Sequence, residues 1–104
     1  MFDRDVVWRV GGQNGMTGEY RGWREVVRFL RRTTDETDGT YRTELRWALA
    51  DDARGVAVYG ACGQRNGRDL DIEMVLLCEF NDGRLSGVVA APVDSAAFDE
   101  FWGA

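Results

Sequence analysis

The sequence contains two candidate groups for acid–base chemistry, the carboxylates of Asp71 and Glu73. Both lie on one predicted strand. They lie two residues apart, so both project from one face of an otherwise apolar strand. A carboxyl group buried in such a surface has a raised pKa and can exchange protons near neutral pH. The alternative, which we favour, places both carboxylates on a solvent or dimer face, paired with arginines, because perturbed carboxylates are the rarer case.

Arg9 is the candidate for holding an anion, since a guanidinium can bind a carboxylate through two parallel hydrogen bonds. The more frequent role of such an arginine is an ion pair with a neighbour, here Asp5 or Glu79. Tyr59 could donate a hydrogen bond to a ligand oxygen, or it could fill the core with its hydroxyl at the rim.

The composition excludes other kinds of chemistry. The 104 residues include no histidine, and all 13 basic residues are arginine. The commonest general base, the commonest zinc ligand and Schiff-base lysines are therefore absent. Carboxylates alone at irregular spacing are weak evidence for a metal, and the glycines of 11–18 lack the spacing of a phosphate loop. We expect no metal and no cofactor.

The charge and hydropathy of the chain limit its partners. A net charge of −5 repels phosphate backbones, so we expect no nucleic-acid partner, and Arg28, Arg31 and Arg32 form a solvated helix face. No apolar stretch approaches the ~20 residues that span a bilayer, and the N-terminus lacks the apolar region of a signal peptide. We expect a cytoplasmic protein with no membrane partner, in which Cys62 and Cys78 are thiols.

The elements that must position these residues follow from periodicity and turn signals. A strand is predicted at 6–10, a glycine-rich loop at 11–18 and a helix at 22–32. Alternating apolar residues then predict strands at 40–50, 56–64, 70–80 and 85–91. Asp94 or Ser95 can cap a short final helix that carries Phe98, Phe101 and Trp102. The pattern predicts an α+β fold in a single domain, residues 1–104.

The turn at Asn66-Gly67 fixes the pairing of two strands, because both residues tolerate a positive φ. A two-residue turn there places Tyr59 opposite Met74 and Cys62 opposite Asp71, far from Cys78, so no intrachain disulfide is expected. The turn at 81–83 leaves the face of the last strand open, since a bulge would shift every side chain to the other face.

The order of these elements resembles the nuclear-transport-factor-two-like superfamily, and most nearly its SnoaL-like and ketosteroid-isomerase-like members. The residues that carry the resemblance are 2–10, 17–18, 20–22, 39–52, 66–70, 80–85 and 94–102. The resemblance implies a curved antiparallel sheet, a cone-like meander wrapped around a helix, with a short C-terminal helix. It also implies an apolar cavity that binds small hydrophobic molecules.

The concave wall of that cavity is predicted from the resemblance and from the hairpin register together. Val88 and Ala90 also belong to this wall if the turn at 81–83 contains a bulge. The candidate ligand-binding residues are Trp8, Trp23, Tyr59, Ala61, Ile72, Met74, Leu76 and Val88. The plainer interpretation, to which we give more weight, is that these side chains form the core of a small domain.

The sequence departs from the family in its catalytic groups. The general-base aspartate of the isomerases falls at what looks like Arg9 or Val10, and their second aspartate falls at Leu76. Their tyrosine belongs to a helix that would precede Met1. The resemblance therefore implies that steroid isomerase chemistry is absent. The opening helices also fall before Met1, so the cavity is open, is covered by another chain, or the encoded start is internal.

We therefore expect a domain that binds a small apolar molecule, has no identifiable catalytic centre and forms a homodimer through a sheet face. One alternative is an isomerase, cyclase or hydrolase that uses a pocket carboxylate such as Asp71, with Tyr59 or Arg9 as its partner. Another is an assembly subunit whose open sheet face is covered by a partner chain.

Overall fold

The computed structural model describes residues 2–103, which form one mixed sheet and two helices. The strands are Phe2–Val10 (β1), Gly18–Arg21 (β2), Arg42–Ala50 (β3), Arg54–Arg65 (β4), Arg68–Asn81 (β5) and Arg84–Pro92 (β6). The helices are Trp23–Asp35 (α1) and Ser95–Trp102 (α2). The strand order across the sheet is β2-β1-β6-β5-β4-β3. The predicted α+β class, with a curved sheet and a short C-terminal helix, is confirmed.

The hairpin of β4 and β5 has the predicted register. Asn66 and Gly67 form its two-residue turn, with φ of 51° and 76°, in the left-handed region that this tight turn requires. Tyr59 pairs with Met74 and Cys62 with Asp71, as the turn predicted. Both cysteines of the chain are free.

The face of β6 is set by a bulge inside the strand. The turn before it is a tight one, with Asp82 and Gly83 at φ of 50° and 76°. The extra residue is Ser86, because Leu85 pairs with Phe80 while Gly87 pairs with Glu79. The Ser86 hydroxyl donates to the Glu79 carbonyl at 3.1 Å. This one-residue shift places Val88 and Ala90 on the same face as Leu76.

The N-terminal third differs from the sequence-based expectation. β1 begins at Phe2 rather than at residue 6, and it pairs in parallel with β6, whereas the sequence predicted only antiparallel pairs. Gly18–Arg21, which was expected to lead into the helix, is an edge strand paired with β1. This short strand has one apolar side chain, Tyr20. Because it has no alternating apolar residues, the sequence pattern does not predict it as a strand.

α1 continues through Asp35, three residues beyond the predicted end at Arg32. Thr33 is buried, and its hydroxyl donates to the Leu30 carbonyl at 2.6 Å, which satisfies a polar group inside the helix. α2 begins as expected at its cap, where the Asp94 carboxylate accepts from the Ala97 N–H at 3.1 Å. In residues 2–103 neither helix is long and apolar enough to cross a membrane.

The two helices pack on one face of the sheet, which we call the inner face. α1 packs mainly against β1 and β2, and α2 packs against β5 and β6. The most deeply buried side chains of this core are Val6, Met16, Val26, Val88 and Phe101. The inner side of β3 and β4 is covered less, and Leu45 of β3 is 64% exposed.

Gly67→Ala should cost about 1 kcal/mol of unfolding free energy, because alanine disfavours the left-handed conformation. Space does not limit the change, since a Cβ at Gly67 would meet no atom within 4 Å. Gly11→Ala is the matched control, because its Cβ would make an ordinary 3.7 Å contact and its φ is not positive. Urea unfolding of both variants checks this, and equal losses would contradict the assigned turn.

Candidate functional site

A cavity of about 310 Å³ opens on the inner face of the sheet. Its wall includes side chains of α1, α2 and five strands, so it depends on the whole fold. The lining residues are Trp8, Val10, Met16, Phe29, Leu30, Thr33, Tyr41, Thr43, Leu45, Ala57, Tyr59, Met74, Leu76, Ala90, Phe98 and Trp102. None of these lining residues is acidic or basic, so the wall carries no formal charge at neutral pH.

The structure brings together part of the predicted ligand-binding set. Trp8, Tyr59, Met74 and Leu76 line the cavity. Ala61 and Val88 are buried in the adjoining core, and Ile72 is partly buried against it.

Trp23 does not reach the cavity. The side chain is 46% exposed at the first position of α1, outside the buried stripe of Val26, Phe29 and Thr33. The Arg24 guanidinium lies 5.2 Å from the centre of the indole ring, so a solvent-facing cation covers it.

The three predicted catalytic candidates lie away from the cavity. Glu73 pairs with Gly60, next to Tyr59, so alternation along the strand turns it to the opposite, outer face. There its carboxylate accepts from the Arg46 guanidinium at 3.1 Å. Asp71, two residues earlier, is exposed on that same face. Both carboxylates thus lie away from the cavity, and an arginine partner is observed for Glu73.

Arg9 forms an ion pair, but with a partner that the sequence did not indicate. The expected partners were Asp5 and Glu79, whereas the Arg9 Nε lies 2.7 Å from the Glu19 carboxylate. Glu19 lies directly opposite Arg9 on β2, a strand that the sequence pattern does not predict. The hydrogen bond from Arg9 lowers the pKa of Glu19. Arg9 is half-exposed and next to Trp8 in sequence, so it points away from the cavity.

Tyr41 is a cavity residue that sequence reasoning did not single out. It follows α1 and precedes β3, and its backbone N–H donates to the buried Thr37 hydroxyl at 3.1 Å. That hydroxyl donates in turn to the Thr33 carbonyl at 2.8 Å. The Tyr41 ring packs edge-to-face on Trp102, with the ring centres 5.7 Å apart. The signal that could have found it is its alternation with Thr43 and Leu45, which also line the cavity.

Tyr41 and Tyr59 form a pair of phenol groups on this side of the cavity. Burial raises the pKa of Tyr41 to about 12. Burial also raises the pKa of Tyr59, and the neighbouring Tyr41 raises it further. Both phenols are therefore neutral hydrogen-bonding groups at physiological pH.

The wall formed by α2 is held by Arg65, at the end of β4. Its guanidinium donates to the carbonyls of Phe101 and Gly103, at 3.0 and 2.7 Å. Its Nε lies 3.3 Å from the Glu36 carboxylate, just beyond α1. One arginine thus joins the C-terminal ends of both helices to the hairpin and fixes Trp102 at the cavity.

Trp8 forms the opposite wall. Its side chain is 9% exposed, and the Phe2 ring packs edge-to-face on it with a 6.3 Å separation of ring centres. Its indole Nε1–H is buried and has no hydrogen-bond partner in the described structure. Buried donors without a partner are rare in folded proteins.

No protein-family model matches the chain. Uncharacterized proteins of Mycobacterium tuberculosis and Mycobacterium bovis are 32% identical to it over 102 residues, 97% of this chain and 78% of theirs. Bal32a, from a soil-derived mobile gene cassette, superimposes with a TM-score of 0.92 at 29% identity, covering 97% of this chain and 78% of Bal32a.

Two more distant solved structures share the fold. A nuclear-transport-factor-two-like protein of Burkholderia pseudomallei has a TM-score of 0.82 at 21% identity, over 99% of this chain and 80% of its own. A Jannaschia protein described as a SnoaL-like polyketide cyclase has a TM-score of 0.78 at 12% identity, over 99% and 74%. The chain belongs to the family of these mycobacterial proteins, and its fold is that of the SnoaL-like and nuclear-transport-factor-two-like proteins. The mycobacterial relatives are described only as uncharacterized, so they assign no activity to this chain.

The phenol groups should remain protonated at about pH 10.5, where exposed tyrosine, with a pKa of about 10, is mostly ionised. Burial raises the pKa of all three tyrosines, Tyr20, Tyr41 and Tyr59. The tyrosinate absorbance of the folded protein should therefore stay well below that of the same protein in urea.

Stability should fall as the pH rises from about 10 towards 12, because the unfolded chain loses phenol protons that the folded chain keeps. Replacing Tyr41 and Tyr59 together by phenylalanine should flatten this alkaline loss in urea unfolding. Equal tyrosinate absorbance in the folded and unfolded protein would show that the phenols are exposed.

Proposed function

We propose that residues 1–104 form a single domain that binds a small apolar molecule in the inner-face cavity and has no identifiable catalytic centre. The observation that carries this proposal is the cavity wall, in which every lining residue is uncharged at neutral pH. Ligand cavities are concave, mostly apolar and supplied with a few polar groups, and their volumes run from ~300 to ~1,000 Å³. The observed 310 Å³ suits a ligand of a few rings.

The polar groups of the wall suit binding better than proton transfer. Tyr41 and Tyr59 have raised pKa values, so they would give up a proton less readily than free tyrosine. The Thr33 hydroxyl is already used inside α1. These groups can orient a ligand through neutral hydrogen bonds.

An isomerase, cyclase or hydrolase is the alternative that the fold allows. Such an enzyme needs a general base in the pocket. Asp71 and Glu73 do not supply it, because they lie on the outer face, where Glu73 is paired with Arg46. The binding function therefore has the stronger support.

We also propose that the chain forms a homodimer through the outer face of the sheet. Two cross-strand rows of apolar side chains lie there, one through Trp47, Val58 and Val75, and one through Leu49, Val56, Leu77 and Val89. We call these seven residues the outer patch. Leu49 is 69% exposed, Leu77 is 54% exposed and Trp47 is 49% exposed, and contiguous exposure of this kind is typical of interfaces.

A second copy is a suitable occupant of the outer patch because the Glu73 carboxylate beside it already has an arginine partner in the same chain. The Arg46 guanidinium lies directly over Gly60, since a Cβ added there would come within 2.3 Å of it. In this position Arg46 neutralises Glu73. Pairing within the chain reduces the repulsion between the two Glu73 carboxylates when two such faces meet. An assembly with a different partner chain is the alternative use of the same patch.

The free thiols of Cys62 and Cys78 are compatible with a reducing, cytoplasmic location, which we propose. The net charge of −5 supports the proposal that nucleic acid is not a partner.

Ala57→Phe should weaken the binding of Nile red, a neutral apolar dye, at least tenfold, because the added ring fills the cavity beside Tyr59. Ala96→Phe is the matched control, since Ala96 is exposed on α2 and outside the cavity wall. Dye fluorescence titration gives the dissociation constants, and urea unfolding confirms that both variants fold. Equal dye affinity in the two variants would argue against the cavity as the binding site.

Leu77→Glu should convert a dimer into a monomer at micromolar concentration, because it buries a carboxylate in the outer patch. Leu45→Glu is the control, since Leu45 is similarly exposed but lies on the inner face. Sedimentation velocity measures both. A monomeric wild-type chain, or a dimer that survives Leu77→Glu, would contradict the proposed interface.

A further inference from the structure

The glycine-rich loop between β1 and β2, residues 11–17, lies against the last turns of both helices. A Cβ added to Gly15 would meet the Arg32 guanidinium of α1 at 3.4 Å and the Trp102 carbonyl of α2 at 3.5 Å. Most of the loop is exposed to solvent, but Met16 is only 1% exposed and lines the cavity. The loop thus contributes one buried side chain to the cavity wall.

Asp99 of α2 holds the loop through one carboxylate oxygen. This Oδ1 accepts from the Gln13 backbone N–H and from the Asn14 side-chain amide, each at 2.8 Å. The approach is so close that a Cβ added to Gly12 would come within 2.6 Å of the same oxygen. Glycine is therefore required at this position, where φ is also positive, at 98°.

The hydrogen bonds continue from Asn14 to Met16. The Asn14 side-chain oxygen accepts from the Met16 N–H at 2.7 Å, and the Met16 carbonyl accepts from the Tyr20 hydroxyl at 2.7 Å. The backbone of Met16 is thus fixed by hydrogen bonds, whereas its side chain is fixed by packing alone. Because Asn14 is bonded to Asp99 as well, the position of Met16 depends on a carboxylate of another element.

Met16 closes the interior of the cavity rather than its mouth. The mouth is marked by Leu30 and Leu45, the lining residues whose large apolar side chains are exposed. Met16 borders the cavity with hardly any accessible surface, because most of its side chain is packed in the core. Truncation to alanine would remove about three heavy atoms and add their volume to the interior end of the cavity.

We infer that Met16 sets the greatest length of ligand that the cavity accepts, and that Asp99 is the positioning residue that keeps Met16 in place. The inference rests on the proposed binding function and adds the residues that determine its size selectivity. A short ligand fits between the mouth and Met16. The excess of a longer ligand stays in water at the mouth and gains no burial.

A series of 4-alkylphenols with side chains from ethyl to nonyl tests the inference. These probes are uncharged at neutral pH and differ from one another only in length. Displacement of Nile red gives their dissociation constants. In the wild-type protein the affinity should rise about fourfold with each methylene until the cavity is full, and should then level off.

Met16→Ala should move this limit to side chains about three methylenes longer, because the alkyl chain enters the vacated volume. It should bind 4-nonylphenol at least tenfold more tightly than the wild type does, and 4-ethylphenol equally. Leu70→Ala is the matched control, because Leu70 is a buried core residue outside the cavity wall and should leave the length limit unchanged. Urea unfolding confirms that both variants fold.

Asp99→Ala leaves every cavity side chain intact and removes the acceptor that holds the loop. It should strengthen the binding of 4-nonylphenol at least threefold and leave 4-ethylphenol unchanged, because Met16 can then yield to the longer chain. Asp99→Asn keeps an acceptor oxygen and should retain the wild-type length limit. Glu100→Ala is the control, since Glu100 is the exposed neighbour of Asp99 on α2. A merely structural Asp99 would change the affinity for every probe by the same factor.

Hydrogen exchange tests the contact between Asp99 and the loop without any ligand. In Asp99→Ala the Gln13 amide should exchange at least tenfold faster than in the wild type, because its acceptor is lost. The Gly11 amide is the internal reference, since it donates to the Ala90 carbonyl at 3.0 Å and should keep its rate. Equal Gln13 exchange in both proteins would overturn the positioning role of Asp99.

The outcomes separate this inference from the proposed function. If the alkylphenols displace Nile red but Met16→Ala keeps the wild-type length limit, the cavity binds ligands and Met16 does not set their length. If Met16→Ala does not fold, Asp99→Ala decides, and an equal change for all probes overturns the inference. If neither Nile red nor any alkylphenol binds to the wild type, the proposed function itself fails.

Discussion

The fold depends on one constraint: two helices must cover the inner face of a six-stranded sheet that is wider than they are. α1 packs mainly on β1 and β2, and α2 packs on β5 and β6. The inner side chains of β3 and β4 are therefore left facing a space that no helix fills. The cavity is this space, and its apolar lining follows because the same strands also build the core.

The walls of the cavity are held apart by polar contacts rather than by further packing. At the C-terminal end of α1, the Thr37 hydroxyl joins the helix to Tyr41, directly before β3. Arg65 ties the ends of both helices to the β4–β5 hairpin, and its guanidinium is largely buried there. Such hydrogen bonds are directional, so they can keep aromatic walls in place without filling the space between them.

The sequence predicted the parts of the fold that local chemistry determines. Asn66-Gly67 defined a register that the structure follows from Arg65 to Ala57, because a two-residue turn permits no other pairing. The parallel pairing of β1 with β6 joins distant segments, and no local signal encodes it. No local signal predicts the bulge at Ser86 either, because it lies within the strand and follows a regular turn. The cavity side of β4 and β5 followed from the register, whereas Tyr41 and the Arg9–Glu19 pair required the three-dimensional structure.

The absence of charge from the cavity wall determines how ligand binding would respond to ionic strength, temperature and pH. No counter-ion is released or taken up when an uncharged molecule enters, so occupancy would be nearly independent of ionic strength. Burial of apolar surface instead gives a negative heat-capacity change, so the binding enthalpy would become more favourable on warming. A protein of this kind would respond to the lipophilicity and abundance of its ligand, and hardly at all to the salt or the neutral-range pH around it.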